Sequence, residues 1–348
     1  MTASSNEIKK ISLALQGGGS HGAFTWGVLD RLLEDDRIEI EGISGTSAGA
    51  MNAVVLAHGY EHNGREGARN ALRKFWKAIS LKGAFSPYHS GIFNPLGADW
   101  SPLALWFDLL SQTLSPYQMN PNNFNPLRDM LEDTIDFKQL RKCGKIRLFI
   151  SATNVNTNHL HIFTNDQISL DVLMASACLP YIHQAVKIDG EYFWDGGFMG
   201  NPALEPLVRR CETSDTVIVQ VNPTYRKEVP RFAVDIADRL NEITFNSNLM
   251  REIRSYVDVT RMIEMGYIHD PRIERAYFHI IPISRELSRL GVRSKLDTSW
   301  TLLSRLFSVG KQQAKNWLAN HFDDIGVRST LNLDEWTPTE NAINSKCS

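Results

Sequence analysis

The sequence predicts an α/β fold built on a mainly parallel sheet. Three observations lead there. A short apolar strand runs into a glycine turn and a helix, the same strand–turn–helix order repeats at once, and further apolar strands alternate with helical stretches along the rest of the 348 residues. Such alternation sets parallel strands side by side with right-handed crossovers. A balance of 43% hydrophobic and 22% charged residues is that of a globular chain that buries a core without staples.

After a polar lead at residues 1–7, residues 11–15 (ISLAL) form the first strand, ended by Gly17-Gly18-Gly19. From His21 to Glu34 the pattern becomes helical, with Phe24, Val28 and Leu32 four apart and Leu29 and Leu33 beside them. Residues 38–44 are a second strand ending at Gly45. A second helix over Ala48–His58 shows Met51, Val54 and Val55 on one face, with Gly59 as its expected C-cap. Further strands are expected at 146–152, 159–163, 216–221 and 277–283, and helices at 66–78, 126–134, 169–177, 232–264 and 299–321. The stretch from Gly83 to Pro126 is dense in Pro, Asn, Trp and Phe, and only Ser101–Leu114 looks helical. It reads as an insertion whose apolar set, including Trp100, Trp106 and Phe107, is either ordinary core or a lid and apolar groove. The expected organisation is one domain over 8–285 carrying the insertion at 83–126, a helical extension over 286–325, and a loose tail over 326–348.

The formal net charge of -2 gives no basic bias toward nucleic acid or anionic lipid. Cys143, Cys178, Cys211 and Cys347 lie far apart with no C-x-x-C pair, which argues against a disulfide framework or a zinc site and fits a reducing compartment. The N-terminus does not read as a secretory signal, and no apolar run reaches the roughly 18 residues of a membrane span. The expected location is cytoplasmic, with signal-independent secretion left open. Oligomeric state has no sequence signature here.

Two glycine turns carry the chemistry. Gly17-Gly18-Gly19-Ser20-His21-Gly22 contains G-x-G-x-x-G after a strand and before a helix, with Glu39 and Glu41 at a suitable distance beyond. Taken alone, it points to a dinucleotide-binding oxidoreductase. Gly45-Thr46-Ser47-Ala48-Gly49 is G-x-S-x-G between a strand and a helix, the setting of a nucleophile elbow. There the serine Oγ stands exposed on a strained turn, and side chains at the flanking glycines would clash with neighbouring backbone. Acyl transfer also needs donors for the tetrahedral oxyanion, and a glycine run at the adjacent strand end supplies N–H groups without a nucleotide.

Serine needs a base. Among ten histidines, His21 lies in the first turn and His183 follows Pro180, but none stands in a sharp motif. The sharp carboxylate is Asp195 in Tyr192-Phe193-Trp194-Asp195-Gly196-Gly197, which alone would read as a common Asp-Gly turn.

Together, Gly-Gly-Gly-Ser-His-Gly, Gly-Thr-Ser-Ala-Gly and Asp-Gly-Gly, with Ala175-Ser176-Ala177-Cys178-Leu179-Pro180, resemble the patatin-like phospholipases over roughly residues 9–225. The resemblance implies a three-layer α/β/α fold and cofactor-free, metal-free hydrolysis of lipid acyl esters by a Ser–Asp dyad. Carried over by position, Ser47 is the nucleophile and Asp195 the base. Gly17, Gly18 and Gly19 form the oxyanion loop with the Ala48 N–H, supported by Gly45, Gly49 and Gly196. The family usually has Arg or Lys at the position of His21 and more often an aromatic at that of His183, so either histidine is a candidate accessory group. An acyltransferase or polyester depolymerase would share the acyl-enzyme, and an idle scaffold is the remaining rival. The implied partner is a lipid acyl ester, with peripheral contact to a lipid surface and none to nucleic acid.

Overall fold

The computed structural model describes residues 7–83 and 114–331, apart from 143, 271, 272, 274, 285, 286, 288, 289 and 291. The apolar strands pair into one eight-stranded sheet. Its strands are β1 Lys9–Leu15, β2 Ile38–Gly45, β3 Arg147–Asn154, β4 Leu160–Thr164, β5 Val186–Ile188, β6 Glu191–Asp195, β7 Asp215–Gln220 and β8 Tyr277–Pro282. The order is β5-β6-β3-β2-β1-β7-β8, with β4 also on β3. The run β3-β2-β1-β7-β8 is parallel, whereas β4 and β6 meet β3 antiparallel. The α/β class with a mainly parallel sheet is therefore the observed one.

Alternation along β1 explains why helices cover both faces. Ile11, Leu13 and Leu15 enter one core with Phe24, Val28 and Leu32 of α1 (Gly22–Leu33) and Leu303, Leu306 and Leu318 from the C-terminal half. Ala14 enters a second core on the other face, with Leu207, Ile218, Leu249, Ile253, Val257 and Phe278. One sheet between two helix-lined cores gives three layers.

Helix α2 spans Ala48–Gly83, broken at Asn63 and Gly64, where the backbone leaves helical geometry. Gly59 does not end the first arm as expected. It packs against the second arm instead, where an added Cβ would lie 2.5 Å from Gly67 O. Both arms need that close approach, so a glycine that reads locally as a cap is a packing glycine. Helix α3 (Pro126–Thr134) and α4 (Leu170–Ser176) follow. The expected helix over Ser101–Leu114 and the apolar insertion residues Trp100, Trp106 and Phe107 fall outside the described residues, except for Leu114 itself.

Helix α5 (Ala233–Glu264) carries a face that changes character along its length. Asp238, Glu242 and Asn246 are buried in its first half, and Leu249, Ile253 and Val257 continue that side into the second core. Helix α6 (Trp300–His321) lies on α1 so closely that a Cβ on Gly27 would be 2.0 Å from Phe307 O, and one on Gly310 would be 2.0 Å from Phe24 O. Residues 329–331 lie along β8. β8 is the edge strand, and its Phe278 carbonyl accepts from the Thr330 and Leu331 N–H groups at 3.1 Å while Ser329 Oγ accepts from Phe278 N–H.

Candidate active site

β1 is the switch point of the sheet, with β2 on one side and β7 on the other, so the turns after β1 and β2 open at one crevice. Gln16, fully buried just beyond β1, fixes that corner. Its amide donates to Asn246 Oδ1 (3.0 Å) and Asn201 O (3.3 Å), and its carbonyl accepts from the Val221 and Asn222 N–H groups.

The second turn holds Ser47 at φ 54°, a left-handed conformation that costs a non-glycine residue on the order of 1–3 kcal/mol. The surroundings hold it there. Ser47 N–H donates to Ser176 Oγ at 2.9 Å, and Thr46 Oγ1 donates to Gly200 O at 2.6 Å. A Cβ on Gly45 would lie 2.8 Å from Gly49 backbone, and one on Gly49 would lie 2.1 Å from Leu15 O. These are the neighbouring-backbone contacts that the flanking glycines of the turn were expected to relieve.

Asp195 ends β6, where it pairs with Ala152 of β3. Its carboxyl stands beside the Ser47 hydroxyl, and its Oδ1 accepts from Gly197 N–H at 2.7 Å. The backbone is held by Cys178 O and by Thr153 Oγ1. Gly196 packs on Ser151, where a Cβ would be 2.3 Å from the carbonyl oxygen, so β6 runs into a short 3-10 turn rather than an Asp-Gly hairpin. Burial pushes the Asp195 carboxyl up to about 7, against the lowering effects of the Gly197 and Ser47 hydrogen bonds and the Lys295 charge. Ser47 is half-buried and Gly18 and Gly19 reach solvent, so a reacting carbonyl approaches from that side while the base stays dry.

The three glycines of the first turn are not equivalent. Gly17 packs against the Ser47 Cβ, and its N–H donates to Asn201 Oδ1 at 2.7 Å. Gly17 N–H is thus engaged within the protein. Gly18 and Gly19, with Ala48 at the start of α2, remain beside the serine.

Burial pushes both histidines toward the neutral form. His21 is buried, shares a 2.7 Å hydrogen bond through Nε2 with Ser294 Oγ, and is pushed down to about 3 by burial and by Lys295, so it is neutral. Burial likewise lowers His183. Sequence reasoning missed Asn201, Asn222, Asn246 and Lys295, which reach the site through space.

A parallel α/β sheet with a strained serine turn and a buried carboxylate at its switch point is a setting suited to acyl transfer. A model of the patatin-like phospholipases matches residues 13–208, and the chain belongs to that family. It is thereby a lipid acyl hydrolase in the general sense. No curated protein matches the sequence. VipD from Legionella pneumophila is a solved structure similar over 90% of this chain and 67% of its own, at 16% identity and a TM-score of 0.43. Full-length ExoU with SpcU from the type III secretion system of Pseudomonas aeruginosa is similar over 89% of this chain, at 14% identity and a TM-score of 0.33. The chain spans about half (53%) of the length of that ExoU. Among the described residues no cluster could hold a metal ion, and no helix is long and apolar enough to cross a membrane.

Proposed function

We propose that the chain hydrolyses fatty acyl esters of phospholipids or related lipids through a Ser47–Asp195 dyad. The observation that carries this reading is a serine held on a strained turn beside a carboxylate that burial poises near neutrality. Ser47 Oγ attacks the ester carbonyl as its proton passes to Asp195. The oxyanion is met by the N–H groups of Gly18, Gly19 and Ala48. Collapse expels the alcohol, which takes the proton back from Asp195. Water, deprotonated by Asp195, then attacks the acyl-enzyme and frees the fatty acid. The same intermediate would serve an acyltransferase, with an alcohol in place of water. Against the dinucleotide reading, Gly17 packs on Ser47 and its N–H is taken by Asn201 Oδ1, where a pyrophosphate would need open backbone.

Contact with a lipid surface is part of this proposal. Phe232, Ile236, Leu240 and Ile243 stand 43–76% exposed on the outer side of α5, opposite the buried Asp238, Glu242 and Asn246. Exposed Lys227 and Arg231 flank the row. A helix with its polar side inward and its apolar side outward suits an interface with acyl chains.

Ser47→Ala is expected to abolish ester hydrolysis and labelling by a fluorophosphonate probe while the fold is kept. Wild-type turnover in this variant would remove Ser47 from the mechanism.

A further inference from the structure

We propose that Lys295 is a positioning residue that braces the glycine turn and lends its charge to the oxyanion formed there, an inference that rests on the Ser47–Asp195 reading. The lysine comes from a short 3-10 turn (Val292–Lys295) far from either glycine motif. Two adjacent residues of that turn clasp Gly17–His21 from both ends. Ser294 Oγ bonds His21 Nε2 at 2.7 Å. The Lys295 carbonyl sits over Gly19, where an added Cβ would lie 2.3 Å from it. The side chain makes a second connection. Lys295 Nζ donates to Asn222 Oδ1 at 2.7 Å, and Asn222 Nδ2 donates to Gly17 O at 2.8 Å.

The ammonium thus reaches the turn through a neutral amide, and the backbone N–H of that same Asn222 donates to Gln16 Oε1 at the β1 corner. Burial lowers the Lys295 ammonium from its ordinary range, against the raising effect of Glu242 and Asp238 of α5 and of Asp195, while Arg226 adds to the lowering. Glu242 is engaged by Arg226 at 2.6 Å and by Arg239 at 3.0 Å, so its carboxylate is shared among several cations. Lys295 favours the ionised form of Asp195 and disfavours protonation of His21. A cation one amide away from Gly17 interacts more strongly with a full oxyanion than with an ester carbonyl, so its effect falls on kcat. This gives a neutral His21 a reason to be there: the positive charge arrives from a different part of the chain, and His21 serves as a hydrogen-bonding anchor for that part.

The test compares Lys295→Met, which keeps the stem and the backbone contact to Gly19, Lys295→Gln, which keeps a donor for Asn222 without charge, and Lys295→Arg, with Ser47→Ala as the blank. Hydrolysis of a soluble short-chain ester is followed from pH 5 to 9. Loss of one oxyanion-stabilising group predicts a fall in kcat of roughly 10- to 100-fold in the Met and Gln variants, with KM changed less. Without the cation Asp195 holds its proton more tightly, so the acid limb of kcat/KM moves to higher pH in both, and Arg restores the wild-type limb. A Met variant that fails to fold leaves the Gln variant to decide. Wild-type kcat and an unmoved limb in the Gln variant overturn the inference while the dyad stands. A wild-type protein that neither turns over nor labels at Ser47 overturns the dyad and the inference together.

Discussion

Replacing Asp195 by Asn should make the protein more stable and less active, with a pH dependence fixed by burial of the carboxylate. An unfolded aspartate titrates near 3.8, whereas in the folded chain the group stands at about 7. The folded state therefore binds the proton more tightly, and wild-type stability falls as pH rises from about 4 to about 7 and is level above that. At 1.36 kcal/mol for each tenfold difference in proton affinity, the whole displacement is worth ~4 kcal/mol. Asn keeps the shape, can still accept from Gly197 N–H, and carries no charge to bury. With an unfolding entropy of ~2.1 cal/mol/K per residue, 348 residues give about 1.4 °C per kcal/mol. Asp195→Asn should then match wild type near pH 4 and exceed its Tm by ~5 °C at pH 8, measured by calorimetry across that range. Turnover should fall on the order of 10²–10⁴-fold, because Asn cannot accept the Ser47 proton. Wild-type kcat/KM should rise through about pH 7 as the base ionises. A Tm difference that is constant from pH 4 to 8 would refute the buried-charge reasoning, and retained turnover would refute the base assignment.

Two further outcomes follow from geometry. Gly19→Ala forces a Cβ against the Lys295 carbonyl at a φ of +56°, so it should cost at least ~2 kcal/mol in denaturant melts and lower kcat; a variant as stable and active as wild type would show that the 292–295 turn does not sit there. Phe232→Ser combined with Leu240→Ser should reduce hydrolysis of phospholipid vesicles several-fold and leave a soluble short-chain ester unaffected, since both side chains are exposed; equal losses on the two substrates would assign the row to the fold itself.

What was legible in the sequence was what is local in the chain. The two glycine turns, Ser47 and Asp195 each sit where a strand ends, and hydrophobic periodicity located α1, α3, α5 and α6 to within a few residues. Three-residue β5 is too short for a period to register. Gly59 was misread because a helix-ending glycine and a glycine pressed against another helix look the same in one dimension. The bond from Gly17 N–H to Asn201 is hidden for a related reason: nothing in the spacing of 17 and 201 announces it. Asn201, Asn222, Asn246 and Lys295 are polar residues in unremarkable contexts. They matter because the fold at the β1 corner buries them, and burial makes each unpaired donor or acceptor costly enough to demand a partner. Ser176 was noticed as part of a motif, but its hydrogen bond to the Ser47 N–H emerged only in three dimensions.

The contact of α1 with α6 also sets a schedule for biosynthesis. Lys311 of α6 bonds Asp30 of α1 across 281 positions of sequence. At roughly 5–20 residues per second, a ribosome needs about 15–60 s to make the intervening chain. Throughout that interval α1 has emerged without the helix that covers Phe24 and Trp26, and the backbone-close seam at Gly27 and Gly310 cannot be filled loosely by another element. The nascent chain therefore presents an apolar stripe for longer than folding of its neighbours takes, and it should depend on a holding chaperone until α6 arrives. Ribosome-bound chains arrested just before Trp300 are expected to crosslink to such a chaperone through α1, and chains arrested well beyond His321 to have released it.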